Sequence, residues 1–236
     1  MFQTDPFSLI VLFVGLSLLP FVAMIATSYL KIVVVMSLIR NALGIQSIPP
    51  NMVINALAMI LTFYIMAPVV GESWEIARTG LAKTGAVAAP APSGGAAVQS
   101  PAAGGWFETD ALAAAAEPFR RFLSEHTSDR ERAFFINTAE RLWAKNPDEP
   151  AKVDGESFCI LIPSFCVSEL TKAFQIGFLV YLPFIAIDII VSNILLAMGM
   201  MMVSPVTISL PFKLLLFVMV NGWTLLVQGL VRGYAV

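Results

Sequence analysis

The chain has 236 residues, of which 58% are hydrophobic and only 13% charged, with a mean hydropathy of +0.81 and a formal net charge of −2. Soluble domains carry about 25% charged residues, so composition places this chain in the membrane class, as one helical unit. The 14 basic residues form no block, which excludes nucleic-acid binding by electrostatic attraction.

In chain order, the first apolar run extends from Phe7 to Ile39 and meets no charge until Lys31, more than the roughly 20 residues a bilayer span needs. A cleaved signal peptide is not expected, because no basic residue precedes Lys31 and the apolar region is too long. Pro20 predicts a kink, and the polar stretch Thr27-Ser28-Tyr29-Leu30-Lys31 a break in the second half. In the connector from Asn41 to Pro50, Gly44 suits a helix C-terminus and Pro49-Pro50 forces a new start. A second run, Met52 to Val70, then completes an N-terminal helical hairpin over residues 1–71.

Residues 72–157 form a polar insert. The stretch from Gly71 to Ser157 holds 13 acidic and nine basic residues, most of the charge in the chain, and must lie in water. Residues 85–105 contain only Ala, Pro, Gly, Val, Ser and Gln, too little apolar surface to offset the entropy of ordering, and read as a flexible linker. Asp110 to Leu123 places Phe119, Phe122 and Leu123 on one helical face, with Pro118 limiting its length. Ser128 with Glu131 makes a capping box, and Phe135, Ala139 and Leu142 then share the apolar face of a second short helix. Both faces are expected to dock on something apolar.

Residues 158–236 repeat the hairpin plan, with runs from Thr171 to Met198 and from Ile208 to Val231 joined by a connector from Gly199 to Pro211. Four of the 11 methionines, Met198, Met200, Met201 and Met202, sit at this junction. Methionine is unbranched and polarizable, which suits a deformable seal; the plainer reading is a helix–helix contact. Arg40 in the first short connector favours a cytoplasmic connector and a long insert on the opposite side.

Cys159 and Cys166 lie in an apolar neighbourhood and read as buried thiols rather than a disulfide or metal pair. His126, the single histidine, lies in the polar insert, so neither a histidine-activated nucleophile nor a His-rich zinc site is expected, and no glycine-rich phosphate loop is present. No enzyme activity and no cofactor are expected. Ionisable residues in or beside apolar runs are costly in hydrocarbon and face partners or water; here they are Lys31, Glu169, Lys172, Asp188 and Lys213. Glu169 and Lys172, three apart, can pair along one helix, or each can pair between helices or subunits. Asp188 with Ser192 and Asn193 could line an ion path, the basis of an alternative reading as a polytopic transporter or channel for a small solute.

Several segments in order carry a resemblance to a known family: Thr27 to Val35, Arg40 to Gly44, Ile48 to Asn51, Ser168 to Leu170, Ala173 to Phe178, Tyr181 to Phe184, Met198 to Pro205 and Ile208 to Lys213. Together they resemble the FliP/SctR family, core export-gate subunits of flagellar and virulence type III secretion systems, over both hairpins. Ser204 to Ser209 and Gly222 to Leu226 look more like the virulence branch. The resemblance implies an all-α membrane protein assembled as a homopentamer into a helical cone at the bacterial inner membrane, where the orientation favoured by Arg40 makes the insert periplasmic. SctS/FliQ-like and SctT/FliR-like partners would complete it, and unfolded secreted proteins would be the cargo. It further implies that Met200, Met201 and Met202 form a methionine gasket closing the channel, and that Glu169 and Lys213 pair between neighbouring subunits. Cys166, Asn221 and the Ala/Pro/Gly linker depart from the family pattern.

Overall fold

A computed structural model describes residues 6–45, 49–86, 109–144 and 153–235, and all regular structure among them is helical. α1 (Pro6–Ile25) and α2 (Tyr29–Ala42) are the first apolar run, bent by 56°. The bend falls at Ala26–Ser28 rather than at Pro20, which lies inside α1. The Thr27 hydroxyl donates to the Ala23 carbonyl at 2.7 Å and accepts from the Tyr29 amide at 3.4 Å, so a side chain takes over backbone bonding and the helix breaks there. Gly44, at φ 77, closes α2 as its position predicts. Arg40 then reaches across the connector to the Asn51 side chain and the Pro49 carbonyl.

α3 (Asn51–Ala86) is about 54 Å long at 1.5 Å per residue. It continues beyond Val70, where the apolar run ends, and across the expected hairpin boundary at residue 71. The polar continuation carries Gly71, Gly80 and Gly85 but no proline, and α4 (Thr109–His126) packs along it, with Arg121 paired to Glu72. α4 also runs straight through Pro118, which is buried, because Phe122 and Leu123 anchor the following turns in the core. α5 (Asp129–Leu142) starts at Ser128 as expected, but the capping box is rearranged. The Ser128 amide donates to Ser168 Oγ at 2.8 Å, and the Ser128 hydroxyl instead holds the Glu131 carboxyl below its ordinary carboxylate pKa. The expected flexible linker at residues 85–105 lies, beyond Ala86, outside the described residues.

α6 (Phe158–Ala197) spans about 60 Å and begins well before Thr171; it continues through Pro163, at the expense of one backbone hydrogen bond, because Leu161 and Phe165 bury the flanking turns in the core. α7 (Pro205–Met219) and α8 (Gly222–Arg232) are the last run, but as two helices bent by 58°. Asn221 between them adopts the left-handed conformation, φ 50 and ψ 47, which asparagine tolerates better than most residues.

α6 is the hub of the fold and contacts α2, α4, α5 and α7. One core gathers Ile32, Val35, Met36 and Ile39 of α2 against Ala58, Ala173, Phe184 and Phe217. A second packs Phe122 and Leu123 of the insert against Met66, Leu161, Phe165 and Tyr234. The docking faces expected for the insert are therefore used, with one correction: Leu142, the last residue of α5, overhangs and is exposed. Among the described residues two helices, α3 and α6, are long and apolar enough to cross a membrane, or up to four segments if each bent pair counts as one span.

α2 and α6 approach closely at Gly177, where a Cβ would run into the Leu38 side chain and lie 3.2 Å from its Cβ. Gly177→Val is expected to wedge these helices apart at a cost of about 1–3 kcal/mol, read as earlier thermal unfolding in detergent; unchanged unfolding would mean that the α2–α6 contact is loose.

Candidate functional site

The turn between α6 and α7 is built to display side chains rather than bury them. At the end of α6 the Gly199 amide donates to the Leu196 carbonyl at 3.0 Å and the Met200 amide to the Leu195 carbonyl at 3.0 Å, the paired bonds of a Schellman motif. Gly199 takes the left-handed residue, at φ 72, which costs any residue with a Cβ roughly 1–2 kcal/mol. The Met201 amide then bonds the Gly199 carbonyl, Ser204 adopts an extended conformation, and Pro205 opens α7. The connector is thus Met198–Ser204, shorter than the expected Gly199–Pro211, because α7 begins at Pro205 and continues through Pro211. Within it Met200 is 45% exposed, Met201 82%, and Met202 fully exposed. An isolated helical chain gains nothing from holding three methionines in water.

The charged residues singled out from the sequence gather into two clusters. In the first, Lys31 of α2 meets Glu169 of α6 at 3.1 Å, with side chains only 4% and 0% exposed. Lys172, one turn further along α6, binds the other Glu169 oxygen at 3.1 Å and donates to the His126 carbonyl at 2.7 Å, capping the end of α4. The Tyr234 phenol donates to Glu169 as well, and its ring lies 3.5 Å beneath the Lys31 ammonium. Both readings of Glu169 hold within one chain: it pairs locally with Lys172 and between helices with Lys31.

In the second cluster Lys213 of α7 pairs with Asp188 of α6 at 2.7 Å and donates to the Ala42 carbonyl at 3.2 Å, at the end of α2. Ser209 donates to the other Asp188 oxygen at 2.6 Å. Lys172 and Lys213 thus each satisfy a helix C-terminus and a carboxylate at once. Within the chain Glu169 and Lys213 belong to different clusters, and any bridge between copies has to compete with these internal partners.

Tyr234 and Ser209 are the members sequence reasoning missed. Ser209 is one position among apolar residues, and Tyr234 follows the last helix, where no periodicity marks it; it reaches the cluster only because α8 turns back at Asn221. Of the two free cysteines, Cys159 is exposed rather than buried, since it faces away from the α2 and α4 contacts near the start of α6, and Cys166 is half-buried.

With this geometry in place, comparison with known proteins decides the family. Residues 12–230 match the FliP family. The chain belongs to that family. It is 46% identical over 230 residues to the hypersensitivity response secretion protein HrcR of Ralstonia nicotianae, over 96% of each chain. It is 48% identical over 230 residues to the Yop proteins translocation protein R of Yersinia pestis, covering 98% of this chain and 97% of that protein. Identity to the flagellar biosynthetic protein FliP of Bacillus subtilis is 37% over 226 residues, 96% of this chain and 90% of the relative. The resemblance carried by the ordered segments of both hairpins is therefore membership, and the family's relatives carry names from protein secretion and flagellar assembly.

Proposed function

We propose that this chain is a core subunit of a type III secretion export gate of the virulence branch, in the bacterial inner membrane. In this reading copies assemble as a homopentamer with SctS/FliQ-like and SctT/FliR-like partners into a helical cone. Unfolded secreted proteins pass through it, and the insert lies on the periplasmic side. The chain conducts cargo and does not catalyse a reaction. The observation that carries this reading is the turn at Met200–Met202, held outward by a glycine-dependent helix stop in a chain of a secretion family. Methionines presented this way by symmetry-related copies can meet at an axis and seal around a moving polypeptide without a rigid plug. Higher identity to the HrcR and translocation R proteins than to the flagellar relative supports the virulence branch.

Extensive exposed apolar surface on α3, α6 and α7 supports assembly, since side chains such as Phe63, Phe178, Leu179 and Phe212 demand lipid or protein cover. Coexpression with the two partner subunits is expected to give one particle of defined mass holding several copies of this chain. A stable monomer by native mass measurement, with and without the partners, overturns the reading.

Pairing of Glu169 with Lys213 of a neighbouring copy is part of the same proposal, and assembly would then exchange the internal partners of both residues. The charge swap Glu169→Lys with Lys213→Glu is expected to recover part of the oligomer lost in either single substitution. A swap that folds but assembles no better than the singles removes the intersubunit pair while leaving the gate reading intact.

A further inference from the structure

α2 and α6 run in parallel: Lys31 lies beside Glu169, Leu38 beside Gly177, and the Ala42 carbonyl meets Lys213, the partner of Asp188. α2 therefore stops near the level of Asp188, whereas α6 continues from there to Ala197, about 14 Å further. The tip of the α6–α7 hairpin, which carries Met200, Met201 and Met202, stands past the end of α2, with Ile190, Ile194 and Leu196 exposed along it.

The end of α2 lies against the base of this tip. Gly44 closes α2 in the left-handed conformation, and Val206, in the first turn of α7, comes up to it. The Val206 Cγ1 lies 3.8 Å from where a Cβ on Gly44 would stand, a separation of ordinary van der Waals contact. Val206 follows Met202 by four residues, so a displacement of the α2 end is passed through this contact to the turn that bears the methionines.

The α2 end is itself held by Arg40. Its Nη1 donates to the Asn51 side chain, at the first residue of α3, and to the Pro49 carbonyl at 3.5 Å, so one guanidinium fastens the last turn of α2 to the start of α3. Arg40 is half-buried and Asn51 exposed, and the Asn51 side chain bonds nothing else among the described residues. Neither residue belongs to the Glu169 or the Asp188 cluster. A hydrogen bond at such an exposed site adds little to global stability, yet it restrains how the end of α2 sways against α3.

We infer that Arg40 and Asn51 are positioning residues for the methionine turn: their bond fixes the end of α2, and the contact of Gly44 with Val206 carries that position to Met200, Met201 and Met202. The inference deepens the export-gate reading and rests on it.

Its test compares two substitutions at one exposed site. Asn51→Ala removes the acceptor, whereas Asn51→Asp keeps it and adds a charge favourable both to Arg40 and to the start of α3. In the complex assembled with the partner subunits, Asn51→Ala is expected to leave the native mass unchanged and to raise the resting ion conductance about fivefold, the population shift that one lost hydrogen bond allows. Asn51→Asp is expected to stay as tight as wild type. Nitroxides at positions 59 and 201 of the full chain in detergent, diluted with unlabelled chain and with Cys159→Ser and Cys166→Ser as background, report the turn directly. Their distance distribution is expected to broaden in Asn51→Ala and not in Asn51→Asp. Broadened distances with no leak from either Asn51→Ala or the triple methionine variant support the positioning and overturn the gate reading. Unchanged distances, a leak from the triple methionine variant but none from Asn51→Ala, an equal leak from Asn51→Asp, or loss of assembly in Asn51→Ala each overturn the inference.

Discussion

Glu169→Ala is expected to destabilise the folded chain by about 3–5 kcal/mol, the cost of breaking a buried ion pair from one side. The reason is geometric. One fully buried carboxylate accepts from Lys31, Lys172 and Tyr234, and Lys31 is itself almost completely buried, so removing the carboxylate strands an ammonium without water. Lys172 is 40% exposed and can rehydrate, so the loss concentrates on Lys31. The double variant Glu169→Ala with Lys31→Met removes the stranded charge and should be more stable than the single, a non-additivity that a simple packing defect would not produce. Tyr234→Phe keeps the ring beneath Lys31 but loses one donor to a charged acceptor, a loss of about 1.5–3 kcal/mol. Lys213→Ala should cost less than Glu169→Ala, because Asp188 keeps Ser209 and is one-third exposed. Thermal unfolding of the four variants in one detergent checks the order; a Glu169→Ala chain as stable as wild type would show that water reaches the cluster.

Replacing Met200, Met201 and Met202 together by alanine is expected to leave the assembled complex intact while making the membrane leaky to small ions. Met201 and Met202 make little contact within the chain and Met200 is 45% exposed, so their removal takes little from its stability, and any large effect must come from what they meet in the assembly. Gly199→Val tests the same turn by another route: a β-branched residue at φ 72 strains the Schellman motif and misplaces all three methionines without deleting any. It should leak like the triple variant. Unchanged conductance in both assembled variants would return the turn to ordinary helix–helix packing.

Much of this was legible in the amino-acid sequence. Composition and the long apolar runs dictated a helical membrane-type chain, because a sequence this apolar can satisfy its backbone in hydrocarbon only by helices or closed barrels. Local signals marked Gly44 as a helix end, the polar stretch at Thr27–Ser28 as a break, and Ser128 as a helix start, since each acts through its own backbone neighbourhood. The ordered motifs of both hairpins fixed the family.

Tertiary structure decided what local signals could not. α3 and α6 outrun their apolar runs because neighbouring helices cover polar or proline-containing turns that hydropathy alone would end. Pro118 sits inside α4 because Phe122 and Leu123 bury the turns beyond it. The sequence named Lys31, Glu169, Lys172, Asp188 and Lys213 as charges needing partners, since an ionised group in apolar surroundings demands one wherever the chain goes. Which partner each found depended on helices brought together from distant parts of the chain. Tyr234 completes the first cluster only because Asn221 turns α8 back toward α2 and α6, a long-range event that leaves no periodic trace in the residues themselves.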